Sequence, residues 1–211
     1  MSTAESTAGH APAASGASPQ ESRGSQINMV ILSMYFFIGS EIMLFGSLFA
    51  AYFFVRFNVA DQWPPLNQDG EPFELPKIIT GVNTAVLVAS SFTVHWAEHR
   101  FKHYGDRKGL QRGLLVTMML GLTFLIIQIN EYVHLGFTPA DKAFGSTFYT
   151  LTGFHGLHVF VGFTLLTLCY IRITRAKDFT PNSSAPLGAA SLYWHFVDVV
   201  WILLYILVYL I

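Results

Sequence analysis

Glu41 stands in the run Ser40-Glu41-Ile42-Met43-Leu44-Phe45, deep within an apolar stretch. A carboxyl group there must be paired or hold a proton. His155 and His158 lie three residues apart, which puts both imidazoles on one helical face. His195 and Asp198 repeat that spacing, and Ile202, Tyr205 and Tyr209 extend the stripe. Glu131 closes the run Gln128-Ile129-Asn130-Glu131, with His134 one turn on. These types could hydrogen-bond between helices, move protons or ligate a metal.

Depth decides among these options. Counted from the ends of the apolar runs, Glu41 lies roughly 21 Å deep, with His155 and His158 at roughly 28 and 24 Å. Glu41 is therefore expected to pair with His155 or His158. A bis-His haem needs two imidazoles at equal depth on facing helices, and only His95 with His195 could match, close to the membrane surface. Zinc or copper normally asks for thiolates or a third imidazole. The single cysteine, Cys169, sits in an apolar run. No catalytic residue, metal ligand or cofactor ligand is assigned, and most histidines are read as hydrogen-bonded packing residues. Glu131 is expected in the wet headgroup region. Arg100, Lys102 and Arg112 belong to a basic cluster that could hold anionic lipid headgroups.

The elements that must carry these groups follow from composition. The chain of 211 residues is 52% hydrophobic and only 12% charged, too few charges for a soluble domain of this size. Its net charge of -1 favours no nucleic-acid partner. Residues 1–26 are rich in Ala, Ser, Gly and Pro and read as a disordered tail, without the apolar core of a signal peptide. Five apolar segments follow, at about 27–56, 78–99, 110–134, 144–173 and 189–211. Each is long enough to cross about 30 Å of hydrocarbon as a helix. Trp63-Pro64-Pro65, Gly105 to Gly109, Thr138-Pro139 and Thr180-Pro181-Asn182 punctuate them. The fold class is all-α, an integral membrane bundle of five transmembrane helices. Nine Lys and Arg fall on the side shared by the tail and the second and fourth loops, against three opposite. The N-terminus is thus expected in the cytoplasm and the C-terminus outside.

Four of these stretches carry a family resemblance: Ser40 to Phe45, Gln128 to Tyr132, Thr152-Gly153-Phe154-His155-Gly156-Leu157-His158-Val159, and Tyr193-Trp194-His195-Phe196-Val197-Asp198-Val199-Val200-Trp201. In that order, from about residue 29 onward, the chain resembles subunit III of the haem-copper terminal oxidases, in its five-helix bacterial form. The resemblance implies an accessory subunit without its own redox centre, packed against the catalytic subunit I and accompanied by subunit II. Haems and copper are expected in those partners, with cytochrome c or another donor reaching the complex through them. It further implies bound phospholipid, support of proton uptake and stability, and residence in a bacterial cytoplasmic membrane. Tyr193-Trp194 leans towards a cytochrome c oxidase over a quinol oxidase. An independent proton channel using Glu41, His158 and Asp198, or a haem-binding membrane anchor, belongs to a different class. The expected helix one bears Gly39, Ser40, Gly46 and Ser47 on one side and Glu41, Leu44, Phe45 and Leu48 largely on the other, so both faces are expected to meet protein.

Overall fold

A computed structural model describes residues 19–58, 63–65, 75–176, 180 and 184–211, with side chains from Met29 onward. It contains α1 (Pro19–Asn58), α2 (Lys77–Tyr104), α3 (Arg107–His134), α4 (Lys142–Arg175) and α5 (Ala185–Leu204). A π-helical turn, Tyr205–Leu210, continues α5. All five helices are long and apolar enough to cross a membrane. Twenty-eight residues, the length of α2 and of α3, span about 42 Å, more than the hydrocarbon core. α1 begins at Pro19, inside the segment read as tail, because its first polar turns extend the helix beyond its apolar run. The remainder of that tail, residues 1–18, lies outside the described residues.

The link between α2 and α3 shows how local sequence sets the bundle. Gly105 has φ +65°, a left-handed conformation open to glycine, and its N–H donates to the Phe101 carbonyl. Asp106 then caps α3, its Oδ1 accepting the Gly109 N–H at 2.8 Å. Two residues thereby reverse the chain, and α2 and α3 form the most extensive helix pair. Arg107 fastens the same end of the bundle, donating to the carbonyls of Ile173 and Ala176 where α4 finishes. α5 touches α1, α2 and α4, so it runs through the middle of the assembly.

Two devices hold these helices together where hydrophobic burial cannot, since lipid tails are as apolar as leucine. One is a polar edge on α2. Thr84 accepts the Trp201 indole N–H at 2.9 Å, and Ser90 accepts that of Trp194 at 2.9 Å. Thr93 meets Thr117 of α3 at 2.7 Å, and the Asn83 amide donates to the Phe124 carbonyl at 3.2 Å. The other is close approach at glycine. A Cβ on Gly121 or Gly162 would lie 2.6 or 2.8 Å from the Trp194 ring, and one on Gly113 would collide with Ala97. Trp194 is fully buried and binds α2, α3 and α4 to α5 at one level.

α1 is different. Among its described side chains only Phe45 and Tyr52 are buried, and Glu41, Leu44, Leu48 and Phe49 turn partway inward. Gly39, Ser40, Gly46 and Ser47 are exposed, and a Cβ on Gly39 or Gly46 would meet nothing within 4 Å. Among the described residues only one face of α1 meets protein.

Candidate functional site

Glu41 leaves α1 beside Phe45, whose ring lies 4.9 Å from the His158 imidazole in edge contact. Its Oε2 sits 2.8 Å from His158 Nε2. Of the two expected partners the structure selects His158. The other ring nitrogen, Nδ1, is 2.6 Å from the Phe154 carbonyl. A carbonyl can only accept, so Nδ1 carries a hydrogen. One proton is then left for the Glu41–His158 contact. It sits on the carboxyl, with Nε2 accepting, or on Nε2, facing a carboxylate. Either arrangement is neutral overall, which is what a low-dielectric interior favours. Both side chains are nearly enclosed, at 11% and 14% exposure.

His155, one turn away, is fully buried. Its ring lies 4.7 Å from Trp201 and 6.0 Å from Phe124, and neither nitrogen has a protein partner. His155 and His158 share a helical face but point to different surroundings, and no contact joins Glu41 to His155 among the hydrogen bonds of the described residues.

Glu131 lies inside the bundle, which corrects the expectation of a wet headgroup position. It is 5% exposed, with Oε1 accepting the Tyr209 hydroxyl at 2.8 Å and Oε2 accepting Thr80 at 3.0 Å. The cause is helix phase: Phe124, Gln128, Glu131 and Leu135 are all buried and share one stripe of α3 and its cap. Its neighbour His134 is exposed. Tyr209 reaches Glu131 from the π turn, whereas Tyr205, before it, donates to the Lys77 carbonyl at 3.0 Å.

His195 and Asp198 meet at a residue the sequence reading did not single out. Ser91 of α2 donates its hydroxyl hydrogen to Asp198 Oδ2, and its oxygen lies 2.9 Å from His195 Nδ1. Asp198 is buried and His195 half-buried. The rings of His195 and exposed His95 lie 6.3 Å apart. The available signal was the adjacent pair Ser90-Ser91 after the apolar stretch Ala85-Val86-Leu87-Val88-Ala89. Thr80 was missed for the same reason: hydroxyl residues are common in membrane helices and carry no direction by themselves.

At the α2–α3 end, Arg100 pairs with Asp106 at 3.0 Å and its guanidinium lies 5.1 Å from the Trp96 ring centre. Lys102 pairs with Glu98 at 2.6 Å, and Arg112 is exposed. Among the described residues no group of three or more His, Cys, Asp or Glu is placed to hold a metal ion. Glu41, His155, His158, His195, Asp198 and Glu131 thus fall into separate sites: Glu41 with His158, Glu131 with Tyr209 and Thr80, His195 with Ser91 and Asp198, and His155 apart.

A family model described as cytochrome c oxidase subunit III matches residues 22–211. The cytochrome c oxidase subunit 3 of Latimeria chalumnae is 44% identical over 181 residues, covering 83% of this chain and 67% of that protein. Those of Anopheles gambiae and Locusta migratoria are each 42% identical over the same length. The chain spans about two thirds of the length of these relatives.

Proposed function

The chain belongs to the cytochrome c oxidase subunit III family, and on that premise we propose that it is a non-catalytic accessory subunit of a proton-pumping cytochrome c oxidase. The carrying observation is that the family match runs through all five helices rather than one motif. In this reading the haems and copper belong to subunits I and II, which receive electrons from cytochrome c and pass them to oxygen. The chain contributes contact surface, phospholipid binding and support of proton uptake. It does so in a bacterial cytoplasmic membrane with its N-terminus inside, an orientation supported by the excess of Lys and Arg around the α2–α3 and α4–α5 ends.

Two structural features support an accessory role. His158 has both ring nitrogens engaged, by Glu41 and by the Phe154 carbonyl, so it offers no ligand to a metal without breaking that pair. The exposed face of α1 carries Gly39, Ser40, Gly46 and Ser47, small residues that let a neighbouring helix approach closely. A catalytic subunit is the neighbour proposed for that face.

Purification through a tag on this chain tests the proposal. Expected is a complex that contains haem, consumes oxygen with reduced cytochrome c, and leaves its haem behind when this chain is stripped away. Oxygen uptake with a quinol but not with cytochrome c would move the assignment to a quinol oxidase. A chain that purifies alone without haem partners would favour an independent channel, and haem retained on the isolated chain would favour a membrane anchor.

A further inference from the structure

Four residues of α2 lie at successive intervals of four: Ser91, His95, His99 and His103. They form one stripe that climbs from buried surroundings to the helix end. Twelve residues separate Ser91 from His103, about 18 Å along the axis. At the outer end the rings of His99 and His103 stack at 4.1 Å. At the inner end, exposed His95 stands 6.3 Å from half-buried His195, whose Nδ1 meets Ser91 Oγ at 2.9 Å. Ser91 in turn donates to Asp198, which is 4% exposed and whose Oδ1 has no protein partner.

We propose that His195, Ser91 and Asp198 form a proton relay that loads a buried carboxyl from the α2–α3 end of the bundle. The hydroxyl between imidazole and carboxyl gives the chain of bonds two polarities. In one, His195 Nδ1–H donates to Ser91 Oγ while Ser91 O–H donates to the Asp198 carboxylate. In the other, an Asp198 carboxyl O–H donates to Ser91 Oγ, and Ser91 O–H donates to a bare His195 Nδ1. Conversion takes up one proton. A proton from bulk water, reaching His195 along the His103–His99–His95 stripe, bonds to Nε2. The Nδ1–H bond breaks and its proton passes to Ser91, and the Ser91 O–H bond breaks as its proton passes to Asp198. His195 ends neutral with hydrogen on Nε2, and Asp198 ends neutral. No oxidant or reductant is needed.

The charged and titratable groups around the relay fit this use. On α5 there is His195 itself, and on α2 His95 and Glu98, the latter held by Lys102 at 2.6 Å. The helices on the other side of α5 bring Glu41 from α1 and His158 from α4, which are held to each other. No Lys or Arg contacts Asp198 among the ion pairs of the described residues. Among the described residues the carboxyl therefore has no fixed counter-charge to keep it ionised, and its only hydrogen-bond partner is the relay hydroxyl. This proposal does not depend on which complex holds the chain.

The test is infrared spectroscopy on the complex as purified, in lipid, during exchange from H₂O into D₂O. Expected is a deuterium-sensitive protonated-carboxyl band that is absent from Asp198→Asn. Its exchange should slow at least about tenfold in Ser91→Ala, equal to roughly 1.4 kcal/mol added to the barrier. His195→Gln should slow it similarly, because an amide cannot take a proton at one atom and release it from another. Carbon-13 aspartate labelling assigns the band if Asp198→Asn does not assemble. Exchange as fast in Ser91→Ala or His195→Gln as in the parent overturns the relay, as does the lack of any protonated-carboxyl band that Asp198→Asn or the aspartate label assigns to Asp198.

Discussion

Replacing Gly162 by Ala puts a methyl carbon 2.8 Å from Trp194 Cε3 and 3.2 Å from Cζ3. Carbon atoms in favourable contact sit about 3.5 to 4.0 Å apart, so the indole must retreat by about 0.7 Å or more. It has little room to do so. Trp194 is fully buried, its indole N–H is held by Ser90 Oγ at 2.9 Å, and Gly121 approaches another edge of the ring. Overpacking of this kind costs about 1 to 3 kcal/mol. The better helix propensity of Ala returns at most about 1 kcal/mol. The net expectation is a loss centred on about 1 kcal/mol. Gly121→Ala, with contacts of 2.6 and 2.9 Å to Cη2 and Cζ2, should lose as much or more. In a Trp194→Phe background the penalty of Gly162→Ala should fall below about 0.5 kcal/mol, giving a coupling of roughly 1 kcal/mol. Gly39→Ala, with open space around it, is the control and should lose nothing. Unfolding in mixed detergent micelles, followed by circular dichroism because a tryptophan is itself changed, measures the parent and its five variants. Equal penalties for Gly162→Ala with Trp194 and with Phe at that position would refute the idea that this ring is the obstacle.

The Glu41–His158 pair should show a coupling of about 0.6 to 1.7 kcal/mol in a double-mutant cycle with Ala, the range for interhelical hydrogen bonds in membranes. Glu41→Gln should lose less than Glu41→Ala, since its amide N–H can donate to Nε2 while Nδ1 keeps the Phe154 carbonyl; equal losses would count against a shared hydrogen bond. Tyr209→Phe should destabilise the chain by about 1 to 2 kcal/mol in the same unfolding assay by leaving Glu131 Oε1 without a donor. Arg107→Ala should release the end of α4, seen as faster amide exchange around Ile173 and Ala176, and Arg107→Lys should rescue it poorly because one ammonium lacks the guanidinium fork. Protected amides there in both variants would show that Arg107 does not hold that end.

Much of this arrangement was legible in the residues. The number of membrane helices followed from run length alone, because a bilayer sets a minimum span and leaves the backbone no partner outside its own helix. The reversal at Gly105-Asp106 could be read from a residue suited to left-handed geometry followed by a capping carboxylate. The pairing of Glu41 with a histidine of the fourth helix followed from matched depth, since a carboxyl at that level must find a partner. Depth is a sum over residues along one axis, and sequence reports it directly.

Rotation about that axis is what only the tertiary structure decided. Apolar residues cover these helices nearly all round, so hydropathy does not say which face turns inward. His155 and His158 had equal claims on Glu41 until the phase of α4 against α1 chose His158. The shallow depth of Glu131 points to the headgroups, yet the stripe it shares with Phe124 and Gln128 faces α2 and the π turn. That turn, which no residue in Tyr205 to Leu210 announces, is where Tyr209 comes to meet Glu131. Ser91 gained its place between His195 and Asp198 in the same way: its chemistry was ordinary until α5 packed against α2 and left one hydroxyl to serve both.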